Sequence, residues 1–184
     1  MNNFHILLLG AAFSLTAKPI DLIDENKWIV GKVGFALKYF FVLLFSYIVF
    51  LSLEVDRNLT PYFLALFLFW ILRGKFGYPS HVLFAFIPGI LIGQQITWEY
   101  AVMAIAGLAV YGVLEYVIRH FKNRVVQILL YKSLGRFLIV PLGLSLYLDD
   151  YNPFLYVMPG LLLMHLVRYL IKKDVIRIRE GVRT

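Results

Sequence analysis

Apolar residues run along this chain in long blocks separated by short polar stretches. Seven blocks can be drawn, at about 4–17, 33–54, 59–73, 79–96, 99–118, 126–148 and 153–171. Crossing a bilayer takes roughly 20 apolar residues in a helix, fewer where protein shields part of the segment. The pattern predicts an all-α fold, a polytopic transmembrane helical bundle of about seven spans forming a single domain over residues 1–184. The first and third blocks are short, and one or both are expected to half-span or to tilt into a protein-lined site. Between the first two, Ala17 to Gly31 mixes Ile20, Leu22, Ile23, Trp28 and Ile29 with Asp21, Asp24, Glu25 and Lys27. It is expected to lie as a separate interfacial element with Trp28 at headgroup level. No Lys or Arg precedes the first block, and Ala11, Ala12 and Ala17 imitate a signal-peptide cleavage site only loosely, which favours a retained span.

The charged residues between blocks set an orientation. Lys18, Lys27 and Lys32 follow the first block, Arg73 and Lys75 the third, and Arg119, Lys122 and Arg124 the fifth. Lys172, Lys173, Arg177, Arg179 and Arg183 follow the seventh. The alternate connections hold Glu54, Asp56, Glu99, Asp149 and Asp150, with Arg57 as their one fixed cation. By the positive-inside rule every odd block ends inside, so the amino terminus is expected outside and the carboxyl terminus in the cytoplasm, in a multi-pass protein of the cell membrane.

Composition narrows the chemistry. Of 184 residues 61% are hydrophobic and 16% charged, and the mean hydropathy is +0.78, more apolar surface than a soluble domain of this size can hide. The absence of cysteine excludes disulfides, thiolate nucleophiles and Cys-based metal sites. A net charge of +7 would suit nucleic acid, but the cations sit between apolar blocks where they set topology. The expected partner is the lipid bilayer, and no nucleic acid is expected.

Two places share a layout. Phe76-Gly77-Tyr78-Pro79-Ser80-His81 leads to Ile87-Pro88-Gly89, and Asp150-Tyr151-Asn152-Pro153 leads to Met158-Pro159-Gly160. In the expected topology the first segment runs outward and the second inward, the relation of an inverted repeat with Pro-Gly-broken helices. Proline frees a backbone carbonyl by removing its donor, and glycine admits a close neighbour. Pro88, Gly89, Pro159 and Gly160 therefore read either as cavity-lining residues or as packing kinks.

Charges inside apolar blocks need partners or a route to the surface. Lys38 and Arg168 each lie about one turn from the inner surface and can snorkel there. Glu115 stands four residues before Arg119, the spacing of an ion pair. Lys132 and Arg136 are also four apart. With Arg168 they are candidates for contact with an anionic polymer or head group, or they belong to an amphipathic helix over 121–136 on the inner leaflet. His81, Glu115, Asp149 and Asp150 form the remaining candidate polar positions. His81 and His165 are each lone and no metal-ligand spacing occurs, so neither metal nor cofactor is expected. Asp21 and Asp24 resemble a fragment of the Asp-rich motifs of membrane prenyltransferases, without a second such motif on the same side. With no Ser-His-Asp set, phosphate loop or nucleophile elbow, no catalytic residue is assigned.

From Pro61 onward the order of features resembles the small membrane subunit of bacterial poly-γ-glutamate capsule synthases, the CapC/PgsC type. The matching stretches are Lys75-Phe76-Gly77-Tyr78-Pro79 leading to Ile87-Pro88-Gly89-Ile90-Leu91, then Leu130-Tyr131-Lys132-Ser133-Leu134-Gly135-Arg136-Phe137, then Tyr156-Val157-Met158-Pro159-Gly160-Leu161. The resemblance covers 61–184, and residues 1–58 supply two extra N-terminal spans. This chain has Ile90 where the family has Tyr, and it lacks the second basic residue after Gly135-Arg136. A seven-span relative of that group is the alternative.

The resemblance implies a noncatalytic membrane subunit that docks a cytoplasmic ATP-dependent amide ligase and helps synthesise or export an anionic polymer, as part of a homo-oligomer or larger complex. Two other readings stay open. One is a stand-alone transporter or channel for a small solute. The other is a membrane enzyme acting on a lipid or prenyl phosphate, with Asp21, Asp24, His81, Lys132 and Arg136 as its site.

Overall fold

Apolar blocks satisfy their backbone hydrogen bonds most completely within themselves, as helices. In the computed structural model the described residues are 3–26, 31–72, 79–120 and 134–181, and they form seven α-helices without a strand. These are α1 (Asn3–Asn26), α2 (Gly31–Val55), α3 (Thr60–Leu72), α4 (Pro79–Gly93), α5 (Trp98–His120), α6 (Leu134–Leu148) and α7 (Asn152–Gly181). A 3-10 turn at Arg57–Leu59 precedes α3. Among the described residues three stretches are long and apolar enough to cross a membrane: Asn3–Ile23, Gly31–Val55 and Trp98–His120. The others are shorter apolar helices, α3 having 13 residues and α4 having 15.

The structure departs from the sequence expectation in three places. The first block is not short, because α1 continues through Pro19 for 24 residues and takes in positions 17–26 of the segment expected to lie apart at the interface; Trp28 lies outside the described residues. Ile20, Leu22 and Ile23 are buried there, packing that an isolated surface element would not give them. Secondly, Pro88 and Pro159 stand inside continuous helices and do not break them. Each proline removes a single backbone donor, and the turns on either side hold the helix together. Thirdly, α7 runs ten residues past its apolar block, to Gly181. The amphipathic segment expected at 121–136 lies outside the described residues as far as 133.

Helix directions follow from which residues meet. Asn58, after α2, bonds to Asp150, after α6, and to Tyr100 at the start of α5. The α2–α3, α4–α5 and α6–α7 connections therefore share one end of the bundle, here the Asn58 end. His81 near the start of α4 meets Asp21 near the end of α1, and this defines the opposite, His81 end.

Helices with odd numbers pack in parallel. A Cβ at Gly10 would fall on the Tyr156 carbonyl, and one at Gly160 on Ser14 Oγ and 2.9 Å from Gly10 O, so positions on α1 and α7 rise together. In the same sense, Gly107 of α5 faces Ala65 of α3 while Tyr111 stacks on Phe69 at 4.9 Å between ring centroids. Small residues let these backbones approach closely, the usual device of helix pairs in lipid.

The centre is aromatic. Phe13 lies 4.8 Å from Phe45, 5.6 Å from Phe63 and 5.7 Å from Tyr156, centroid to centroid, and all four are buried. Tilted and edge-on pairs at these distances are the favoured arrangements of ring quadrupoles. Buried hydroxyls return to their own helices: Thr16 donates to Ala12 O at 2.9 Å, Ser46 to Val42 O at 2.8 Å and Ser52 to Ile48 O at 2.6 Å. The exterior is apolar, with Val102, Ile105, Val113 and Tyr116 exposed along one face of α5. Large apolar groups stand outside as well as inside, unlike the polar exterior usual of a water-soluble bundle.

Candidate functional site: two polar clusters at opposite ends of the bundle

At the Asn58 end the chain must turn three times, and each turn leaves helix-terminal amides and carbonyls to satisfy. Asp56 caps the 3-10 turn, its Oδ1 accepting from Asn58 N at 2.9 Å. Asp149 ends α6 in the left-handed region, φ 51°, a conformation Asp tolerates better than most residues. The next amide, Asp150 N, reaches back to Ser145 O at 3.1 Å and closes the helix in the manner of a Schellman cap. The start of α7 is satisfied by Asp150 Oδ1, which accepts from Asn152 N at 3.0 Å, and by Ser145 Oγ, which accepts from Phe154 N at 3.1 Å. Thr97 Oγ1 caps α5 through Tyr100 N at 3.2 Å.

Asn58 ties these turns together. Its Nδ2 donates to Asp150 Oδ2 at 2.8 Å, and its Oδ1 accepts from the Tyr100 hydroxyl at 3.2 Å. Asp56 Oδ2 is buried, and no side chain or amide among the described residues lies within hydrogen-bond geometry of it. Burial pushes the Asp56 carboxyl above its ordinary range and the Asp150 charge adds to this, while the Asn58 amide and the Asn152 side chain pull the other way.

At the His81 end the cluster is smaller and more enclosed. His81 is 5% exposed, and its Nε2 lies 3.2 Å from Asp21 Oδ1. An ionised carboxylate only accepts, so Nε2 carries the proton. Lys18 Nζ donates to Asp21 Oδ2 at 3.2 Å, one turn away on α1. The carboxylate is thus held from two sides beside the N-terminus of α4, where helix amides also favour a negative charge.

The structure separates the residues that the sequence offered as one polar set. Asp150 belongs to the Asn58 end. His81 stands twelve residues before the end of α4, roughly 18 Å along the helix from that cluster. Glu115 pairs with Arg119 as its spacing predicts, Nε to Oε1 at 3.1 Å, also near the His81 end. Gly160 packs against Ser14 and Gly10, whereas Gly89 is exposed and a Cβ there would meet nothing within 4 Å. Lys132 lies outside the described residues. Arg136 and Arg168 lie on α6 and α7, but their side chains, like that of His165, are also outside them.

Sequence reading missed Asn58 and Tyr100 as partners, since single polar residues next to turns carry no spacing signal. The Asp21–His81 contact joins positions 60 residues apart. The membrane-enzyme reading places both in one candidate site, and the structure brings these two into contact, though no spacing in the sequence pairs them. Among the described residues no group of three or more His, Cys, Asp or Glu side chains is placed to hold a metal ion. Comparison with known protein families, characterised proteins and solved structures finds no match to the chain.

Proposed function

We propose that this chain is a seven-span protein of the cell membrane, amino terminus outside and carboxyl terminus cytoplasmic. In this reading it serves as a noncatalytic subunit of a complex that makes or exports an anionic polymer such as poly-γ-glutamate. The orientation rests on charge: Lys18, Lys32, Arg119 and His120 sit toward the His81 end, whereas Glu54, Asp56, Glu99, Asp149 and Asp150 gather at the other with Arg57. The partner is a cytoplasmic ATP-dependent amide ligase, a reading that comes from the resemblance over 61–184.

The observation that favours a subunit over a stand-alone transporter is the filled centre. Phe13, Phe45, Phe63 and Tyr156 close the middle of the bundle, so a polyanion moving with this chain would pass along its surface or between it and other subunits. The test is affinity purification of the tagged chain from detergent-solubilised native membranes, with polymer assayed in a deletion strain. Co-purification of an amide-forming ligase and loss of polymer on deletion are expected. A stable lone chain and unchanged polymer would contradict the reading.

The pair of buried His81 and half-buried Asp21 favours a second reading, a membrane enzyme acting on a lipid or prenyl phosphate. Asp21→Asn would then abolish turnover of such a substrate by the purified chain, and a purified chain without any turnover would count against it.

A further inference from the structure

A groove of about 540 Å³ opens between α5 and α6 on the outside of the bundle. Val102, Ala106 and Val110 wall it on one side, and Ile139 and Gly143 on the other. The groove is open partly because Gly143 has no side chain; a Cβ there would meet nothing within 4 Å. At the Asn58 end of the same groove stand Trp98, Glu99 and Tyr147. The two rings are 80% and 75% exposed, and Glu99 has no hydrogen bond or ion pair among the described residues.

We propose that this groove binds one aminophospholipid of the outer leaflet, with an acyl chain along the apolar walls and the primary ammonium at Glu99 beside Trp98 and Tyr147. The inference rests on the membrane placement proposed above. From Trp98 to Val110 the groove follows α5 for roughly 18 Å, close to the roughly 15 Å of hydrocarbon in one leaflet. Trp and Tyr are the residues that settle at headgroup depth, which sets the aromatic end of the groove where a head group would be.

Charge complementarity selects the head. Glu54, Asp56, Glu99, Asp149 and Asp150 outnumber Arg57 at this end, and that field opposes an anionic head group. A carboxylate with no partner among the described residues accepts hydrogen bonds from an ammonium, and exposed aromatic faces attract the same cation. Ethanolamine brings three N–H donors to Glu99, whereas choline brings none.

The test is native mass spectrometry of the full chain after incubation with equal amounts of palmitoyl-oleoyl phosphatidylethanolamine, phosphatidylcholine and phosphatidylglycerol. Sodium carbonate extraction of membranes from the same preparation is run beside it. The wild type is expected to retain the ethanolamine lipid over the glycerol lipid, and Glu99→Gln to lose about tenfold of that retention. Gly143→Leu, whose Cβ would meet nothing within 4 Å and whose side chain would occupy part of the groove, is expected to lower retention of all three lipids. Equal retention of the three by the wild type, or no change in Glu99→Gln, would overturn the site while leaving the membrane placement intact. Release of the chain by carbonate would overturn the placement and the site together.

Discussion

Pro88-Gly89 and Pro159-Gly160 are the same dipeptide in the same order, each inside a continuous helix, and the fold uses them differently. In α7, Gly160 is buried where its backbone meets Gly10 and Ser14 of α1, so the missing side chain is what lets two parallel helices touch. In α4, Pro88 is buried but Gly89 faces outward, with open space where a side chain would go. A repeated motif therefore carries a packing requirement in one copy and none in the other, and the difference lies in the partner helix rather than in the motif.

The largest effect separating the two copies should come from Gly160→Leu compared with Gly89→Leu. The first drives a side chain into Ser14 and the α1 backbone and should cost about 3 kcal/mol or more, while the second should stay within about 0.5 kcal/mol. Thermal unfolding in detergent micelles measures both, and equal shifts would erase the contrast.

Next in size is Asn58→Ala, which leaves Asp150 and Tyr100 without their shared partner. A loss of about 1–2 kcal/mol is expected in the same unfolding experiment, because one side chain joins three connections. Tyr156→Phe should cost about 1 kcal/mol. It keeps the ring against Phe13 and Phe63 and removes only the hydroxyl 3.0 Å from Ser52 Oγ of α2, which sharpens the division between shape and hydrogen bonding around α7.

The smallest effect is one of pH. The Asp56 carboxyl is raised above its unfolded value of 3.8, so the folded state holds that proton more tightly. Its contribution is fully present below the unfolded value and is lost as pH rises through the folded one. Melting temperature followed between neutral and mildly acid pH should show this gain on acidification, and Asp56→Asn should flatten it. An unchanged pH profile in the variant would remove Asp56 from the cluster's titration.

Much of the helical plan was legible because an apolar block has few ways to satisfy its backbone. The boundaries of α2 and α5 fall within a few residues of the blocks that announced them, and Glu115–Arg119 forms at its predicted spacing. The continuation of α1 through Pro19 was not legible, since its polar residues read as surface until Asp21 finds Lys18 and His81. Nor was the role of Gly10-Ala11-Ala12-Phe13-Ser14: small residues one turn apart acquire meaning only from the helix laid against them, here α7. The Asn58 cluster was hidden for the same reason, being assembled from three separate connections.

Topology is tested most directly by placing single cysteines in a chain that has none of its own and exposing intact cells to a membrane-impermeant maleimide. Cysteines at Gln94 and Asp149 should react from outside, while those at Lys32 and Arg119 should react only once the membrane is opened. Reaction of Gln94 and Arg119 from the same side would mean that α5 does not cross the bilayer and that the proposed orientation is wrong.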